Sequence, residues 1–264
     1  MSLPRFFLNE QVLGKIQQQP IDLDLSLDDV KHAAVLRLQP GEHVAVVDAD
    51  QDYFECEIVD ATGGLSVRIA SRGEGAPARP RIVLAQGLAK GEKMDVVVRH
   101  ATEAGADAFL PFACRRSVVK LDGKKAAARR ERWQAIAKSA AMQSGRESVP
   151  LVEAVGTVST VAAAAREADC VLVCWEEAPG TCVLEEALAR AFVSDDLADP
   201  AKSVLVVVGP EGGIDPEEVE RLLAAGPQAR LVTLGPYILR TETAGIVATA
   251  LVAHELRRQA RKGA

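Results

Sequence analysis

Two short glycine-proline turns hold the residues of this chain best suited to chemistry. Gly209-Pro210-Glu211-Gly212-Gly213 ends the apolar run at residues 204–208, and Gly235-Pro236 ends the run at residues 230–234. Three glycines in the first turn leave main-chain amides uncovered by side chains and let a ligand approach the backbone closely. The second turn runs on into Leu239-Arg240-Thr241-Glu242-Thr243-Ala244, which sets a guanidinium, hydroxyls and a carboxylate in a row. Such a set fits main-chain binding of a polar small molecule beside a cation that can stabilise negative charge or anchor a phosphate. Arg240 and Glu242 are the catalytic candidates. An ion pair of Arg240 with Glu242 or Glu211 is the competing structural reading. Neither turn contains a histidine.

The elements around these turns are strongly punctuated. Val-Leu-Val-Val-Val at 204–208 reads as a strand buried on both faces. Asp215, Pro216 and Glu218 form an N-cap, first-turn proline and capping-box pattern, and Val219, Leu222 and Leu223 give that helix an apolar face ended by Gly226-Pro227. A second buried strand at 230–234 follows. The two strand ends, joined by one helix, fall on the same edge of a parallel sheet, where such folds bind ligands. From Arg81 onward the pattern alternates strand and helix: 82–88, a helix from Lys93, 108–112, and a long helix at 126–144 with Trp133, Ile136, Ala137 and Ala140 as its stripe. Before it, a helix at 27–38 and strand-like runs at 43–49, 53–60 and 65–70 predict a compact, mostly β unit, with 71–80 (SRGEGAPARP) as the boundary. No GxGxxG, GxxxxGK[ST] or HExxH is present, which excludes the usual dinucleotide, Walker-type and zincin chemistries.

Composition narrows the class. The chain has 264 residues, 48% apolar and 26% charged, with a net charge of −6, so it is globular and not uniformly basic. Charge is nevertheless segregated. Residues 115–132 carry eight Lys/Arg against Asp122 and Glu131, whereas 166–200 carry nine Asp/Glu against two Arg. The basic stretch is suited to tracking phosphates, or is a solvated face. Cys170, Cys174 and Cys182 have no nearby histidine and read as buried reduced thiols rather than a metal site. The start MSLPRFFLNE has no signal-peptide core, and no apolar run has membrane-spanning length. A soluble, cytoplasmic protein without metal is expected.

GPEGG after a Val-rich strand, paired with LGPYILRTETA, resembles the cofactor-binding end of the RsmE family, bacterial 16S rRNA uridine-N3 methyltransferases of the SPOUT superfamily. KGEKMD at 90–95, ATEAG at 101–105 leading to Leu110-Pro111, and QSGR at 143–146 ending at Pro150 extend the resemblance over most of 81–250 in order; RFFL and 32–42 match more loosely. Met142 and Tyr237 depart from it, standing where that family usually has an acidic and often has a basic residue. The resemblance implies an α/β fold: a SPOUT-type parallel sheet with a C-terminal trefoil knot (74–264), preceded by a small PUA-like β-barrel that helps grip RNA (1–73). It implies S-adenosylmethionine as cofactor, held by Val208, Gly209, Pro210, Glu211 and Gly212 on the first turn and by Leu234, Gly235, Pro236, Ile238, Leu239, Arg240 and Thr243 on the second. The RNA contacts then fall to Arg5, Arg115, Arg116, Lys124, Lys125 and Arg146.

Methylating N3 of uridine requires the methyl group in line with N3, loss of the N3 proton, and stabilisation of charge spreading over O2–N3–O4; with no histidine in these motifs, the general base stays open between Glu242, water and deprotonation before binding. The implied substrate is 16S rRNA, free or in the small ribosomal subunit. A non-catalytic RNA-binding protein on the same fold is the alternative reading. A homodimer is also expected, because Ile246, Val247, Ala250, Leu251, Ala253 and Leu256 cover more than one stripe of the last helix. Finally, a side chain at Gly212 is expected to occupy ligand space or demand a disallowed φ, so that Gly212→Val abolishes cofactor binding in a folded protein.

Overall fold

The computed structural model describes residues 3–12, 19–73, 75–175 and 182–263. Contacts divide the chain into two units: 1–76 together with 141–148, and 77–140 together with 149–264.

The first unit contains β1 (Arg5–Phe7), β2 (Ile21–Asp22), α1 (Leu27–Leu36), β3 (His43–Val47), β4 (Tyr53–Asp60) and β5 (Ser66–Arg72). The sheet order is β1-β3-β4-β5-β2, with β1 parallel to β3 and the other pairs antiparallel. Along β4 the burial alternates strictly, so Phe54, Cys56 and Ile58 point inward to meet Phe6, Val44, Val46 and Val67. Register shifts between β4 and β5 at Glu55/Cys56 and Ile58/Asp60 bend the sheet around this core. Among the described residues no ladder joins β1 to β2. Met142 packs into this core, so the departure from an acidic residue there serves packing. Helix α1 stops two residues earlier than its apolar pattern predicts. Arg37 adopts a left-handed conformation (φ 54°), and the helix buries Asp29 and Ala33 while Val35 stays exposed.

The second unit contains β6 (Arg81–Gly87), α2 (Lys93–Ala104), β7 (Ala108–Ala113), α3 (Gly123–Ser144, whose last turn belongs to the first unit), β8 (Leu151–Val152), β9 (Gly156–Thr157), α4 (Val158–Glu167), β10 (Cys170–Cys174), β11 (Cys182–Val183), α5 (Leu184–Ala191), β12 (Ser203–Val208), α6 (Pro216–Leu223), β13 (Ala229–Thr233) and α7 (Thr241–Gly263). Its strands form a parallel sheet in the order β11-β13-β10-β12-β6-β7-β8, with β9 on β7. Side chains of β12 alternate between two cores. Val204, Val206 and Val208 join α2, α5 and α7 on one face, and Leu205 and Val207 join α4 and α6 on the other. That double burial is why the strand is continuously apolar, and each such side chain contributes about 1.5–3 kcal/mol.

The order matters for the site. The chain leaves β6 for β7 and β8 on one side, then returns to place β12 between β6 and β10, and β13 beyond β10. The turns after β12 and β13 therefore share an edge, as expected, but they are not neighbours. The end of β10 lies between them.

Candidate active site

A cavity of about 430 Å³ opens at the carboxyl ends of β10, β12 and β13. That volume lies in the range of small-molecule sites, about 300–1,000 Å³. Its wall is formed by Val208–Glu211, Gly213 and Ile214 from the first turn, by Val232–Thr241 from β13 and the second turn, and by Lys93, Cys174, Trp175 and Ala244. Of the cofactor residues expected from sequence, all but Gly212 and Thr243 line it.

Each turn is held in place by identifiable contacts. Gly213 takes a left-handed conformation (φ 70°), and its N–H donates to the Pro210 carbonyl at 2.9 Å, closing the first turn as only glycine does at low cost. The second turn swings out at Gly235 (φ 128°), whose N–H donates to the Thr233 hydroxyl at 3.2 Å. Beyond it Tyr237 and Ile238 stand out as a lip, 81% and 83% exposed. A buried polar chain ties the turns together. The Gln86 amide donates to the Thr241 hydroxyl at 2.9 Å, and that hydroxyl donates to the Gly209 carbonyl. Helix α6 starts as its sequence predicts, with Asp215 accepting from Glu217 N–H and Glu218 completing the box.

Gly212 has a different reason from the one expected. A Cβ there meets the Arg116 carbonyl oxygen at 2.9 Å, so the glycine admits the backbone after β7 rather than a ligand. Gly212→Val should therefore push residues 114–117 and the first turn apart. The expected result is a fold that stays cooperative, a stability loss of about 1–3 kcal/mol in thermal unfolding, and weakened cofactor affinity by calorimetry. Unchanged stability would remove the steric argument.

The catalytic candidates are rearranged relative to the simplest reading. Glu211 and Glu242 pair with Lys93, at 3.0 and 3.2 Å, not with Arg240. Among the described residues Arg240 has no ion-pair partner; it is exposed and lines the cavity. Glu242 is not in the cavity wall. Burial pushes the Cys174 thiol up to about 12, so this cavity-lining cysteine is a neutral wall and not a nucleophile.

The expected RNA residues are divided between the two units. Arg115 spans the start of α6, reaching Asp215 at 3.0 Å and Glu217 at 2.8 Å, while its own N–H donates to Glu218. Arg116 reaches the Gly212 carbonyl at 3.4 Å. Lys124 and Lys125 are exposed in the first turn of α3, where Asp122 caps the helix by accepting from Lys125 N–H at 2.8 Å. Two ammonium groups at the positive end of a helix oppose its dipole. Arg5 and Arg146 belong to the other unit. There the Arg5 guanidinium donates to the Gly145 carbonyl and lies 4.8 Å from the Tyr53 ring centroid; Arg146 is half-buried.

Sequence reasoning missed Lys93, Trp175, Ile214 and Thr241. Trp175 was reachable, since VLVCW is a third strand ending at the same edge. Its indole Nε1 is buried and, among the described residues, has no hydrogen-bond partner. An orphaned donor in a cavity wall is a place for a ligand acceptor. With the uncovered turn backbone beside it, the wall fits a nucleoside-type cofactor.

Residues 77–253 match the model of the RNA methyltransferase domain. Over 230 residues the chain is 40% identical to the ribosomal RNA small subunit methyltransferase E of Mycobacterium bovis, covering 85% of this chain and 83% of that protein. It is 34% identical to the Bacillus subtilis protein of the same name over 259 residues, 96% and 97% of the two chains. The crystal structure of the Neisseria gonorrhoeae ribosomal RNA small subunit methyltransferase E bound to S-adenosyl methionine is similar to it with a TM-score of 0.73 at 30% identity, covering 95% and 96%.

Proposed function

The chain belongs to the ribosomal RNA small subunit methyltransferase E (RsmE) family, and from that premise we propose that it transfers a methyl group from S-adenosylmethionine to N3 of a uridine in 16S rRNA. The observation that carries this reading is the cavity at the ends of β10, β12 and β13, walled by the two turns. Bound there, the cofactor supplies an electrophilic methyl group on a sulfonium. The chain's own residues supply the rest. Main-chain groups of 208–213 and 234–239 hold the adenosine, with Trp175 Nε1 as a further donor. Arg240, exposed at the rim and without a carboxylate partner among the described residues, is placed to stabilise charge developing on the uracil oxygens.

The finer architecture belongs to the same proposal: a PUA-like barrel over 1–73, a SPOUT domain over 74–264 with a trefoil knot at its C-terminal end, and a cytoplasmic homodimer. The insertion of β12 between β6 and β10 late in the chain supports the knotted reading. In the described residues no helix is long and apolar enough to cross a membrane.

The direct test is mass spectrometry of 16S rRNA from cells lacking this protein. Loss of one 3-methyluridine, restored by the wild-type protein and not by an Arg240→Ala variant, is the expected result. An unchanged nucleoside profile overturns the reading. RNA binding gives a separate expectation. Arg115 and Arg116 are committed to the α6 start and the Gly212 turn, whereas Lys124 and Lys125 are exposed, Lys125 pairing at 3.2 Å with the equally exposed Asp122, so their ammonium groups are the better test of the basic stretch. Reversing both to Glu should lower RNA affinity and reduce the log–log salt slope by about two, with cofactor affinity unchanged. A full salt slope would make the stretch a solvated face.

A further inference from the structure

Lys93 is the point where three elements of the cavity meet. It is the first residue of α2, and its ammonium pairs with Glu211 Oε1 at 3.0 Å and Glu242 Oε2 at 3.2 Å. Glu211 comes from the turn after β12 and Glu242 from the first turn of α7. The same Glu211 oxygen accepts the Lys90 N–H at 3.0 Å, so the turn is tied to the lead-in of α2 twice. Lys93 also lines the cavity. Resting on the cofactor reading above, we propose that Lys93 is a positioning residue: its ammonium draws two carboxylates together and so fixes the first turn against the start of α7, into which the second turn leads, and thereby sets the spacing of the two turns that hold the cofactor.

The physical basis is the behaviour of the carboxylates without it. Glu242 Oε2 is shielded from solvent and, among the described residues, accepts no hydrogen bond; the Lys93 ammonium 3.2 Å away balances its charge as an ion pair. Removing the ammonium leaves two like charges converging on a half-buried point, and that repulsion pushes the first turn and α7 apart. The other charged or titratable groups lining the cavity are few. Arg240 stands on the rim, Tyr237 on the lip, and Cys174 on β10 carries a thiol pushed up to about 12 by burial. Lys90 lies in the loop before α2. The hydrogen bond with Glu211 holds the Lys93 ammonium above the usual lysine range. Burial pushes the Glu211 carboxyl up, but its own backbone amide, Lys93 and the Lys90 amide outweigh that and hold it below the usual range. Lys93 and Glu211 therefore stay charged through neutral pH, and their contact should be insensitive to pH there.

The test is S-adenosylmethionine affinity by calorimetry, with thermal unfolding as the check on folding. Between about pH 5.5 and 8 the wild-type affinity should be flat. Lys93→Met should weaken binding by about tenfold or more at pH 8. The sign with pH is distinctive. Two carboxylates that converge without a counter-charge repel each other, and protonating one of them relieves that repulsion. The Met variant should regain affinity as pH falls. Lys93→Arg should bind nearly as the wild type does, and Lys93→Met with Glu242→Gln should recover much of the loss, because it removes the like-charge pair. A folded Met variant with wild-type affinity overturns the proposal. So does a double variant as weak as Lys93→Met with no recovery at low pH, because the ammonium then acts on the ligand directly. Should the Met variant fail to fold, the Arg and double variants decide between the same outcomes. A wild-type protein that does not bind S-adenosylmethionine at all counts against the cofactor reading and is seen before any variant is made.

Discussion

Gly87→Val should abolish cofactor binding at working concentrations while leaving a folded protein. Gly87 is the last residue of β6, and Gln86 beside it pairs with Val208 in the parallel ladder. That register brings Gly87 against the turn after β12. A Cβ at this position falls 2.5 Å from both Cδ and N of Pro210 and 2.9 Å from the Gly209 carbonyl carbon. These are backbone and ring atoms, which cannot rotate away as a side-chain tip can. The turn must shift by roughly 1 Å, and misplacement on that scale costs about a hundredfold in a positioned site. Gly87→Ala already carries the clash and should show most of the loss. The strain, about 1–3 kcal/mol, is small enough for a domain of ordinary stability to remain folded. Gly64→Ala is the control, since nothing lies within 4 Å of a Cβ there. Calorimetry on folded variants decides the matter; an affinity for S-adenosylmethionine within about threefold of wild type in Gly87→Val would show that the turn does not hold the ligand.

Gly87 also shows which part of the site could be read from sequence. Motifs displayed the two turns, because a glycine turn after an apolar strand has local causes: φ at Gly213 and Gly235, and the cap of α6 at Asp215. Parallel packing followed from the same runs, since Val204–Val208 had no polar face to show to water. What the residues alone did not reveal depends on strand order. Nothing in the spacing places β10 between β12 and β13, so Trp175 stayed a strand-end tryptophan. Nothing local tells that Gly87 faces Pro210 or that Gly212 faces Arg116; both are contacts between segments distant in sequence. Lys93 illustrates the same limit for charge. Glu211 and Glu242 were legible as carboxylates near Arg240, and nearness in sequence favoured that partner. The fold instead delivers an ammonium from α2, which leaves Arg240 available at the rim. In the first unit, the short strands β1 and β2 went unread because two or three residues carry no periodicity.

In the proposed homodimer, replacing Val247 and Leu251 together by Glu should yield a monomer or an aggregate and abolish methyl transfer. Much of the apolar surface of α7 is used within the chain: Ala248, Val252, Ala253 and Leu256 are buried, with α2 and α5 packed against the helix. That accounts for Ala253 and Leu256 among the residues expected to seek a partner. A row remains on the outside. Ile246 and Val247 are half-buried, Ala250 is exposed, and Leu251 keeps 36% of its surface in water. The loop leading into this helix carries the exposed pair Tyr237 and Ile238, which also line the cavity. Each carboxylate forced into an apolar interface without a counter-charge costs about 3–5 kcal/mol, so the pair should raise the dimer dissociation constant by at least about a thousandfold. Leu251→Glu alone is the safer variant for folding, because Leu251 is already exposed, and it should give a partial shift. Light scattering at micromolar concentration reads the oligomer, and thermal unfolding confirms that the monomer is folded. The idea fails if the unmodified protein is monomeric and fully active, or if the double variant loses activity while remaining a dimer.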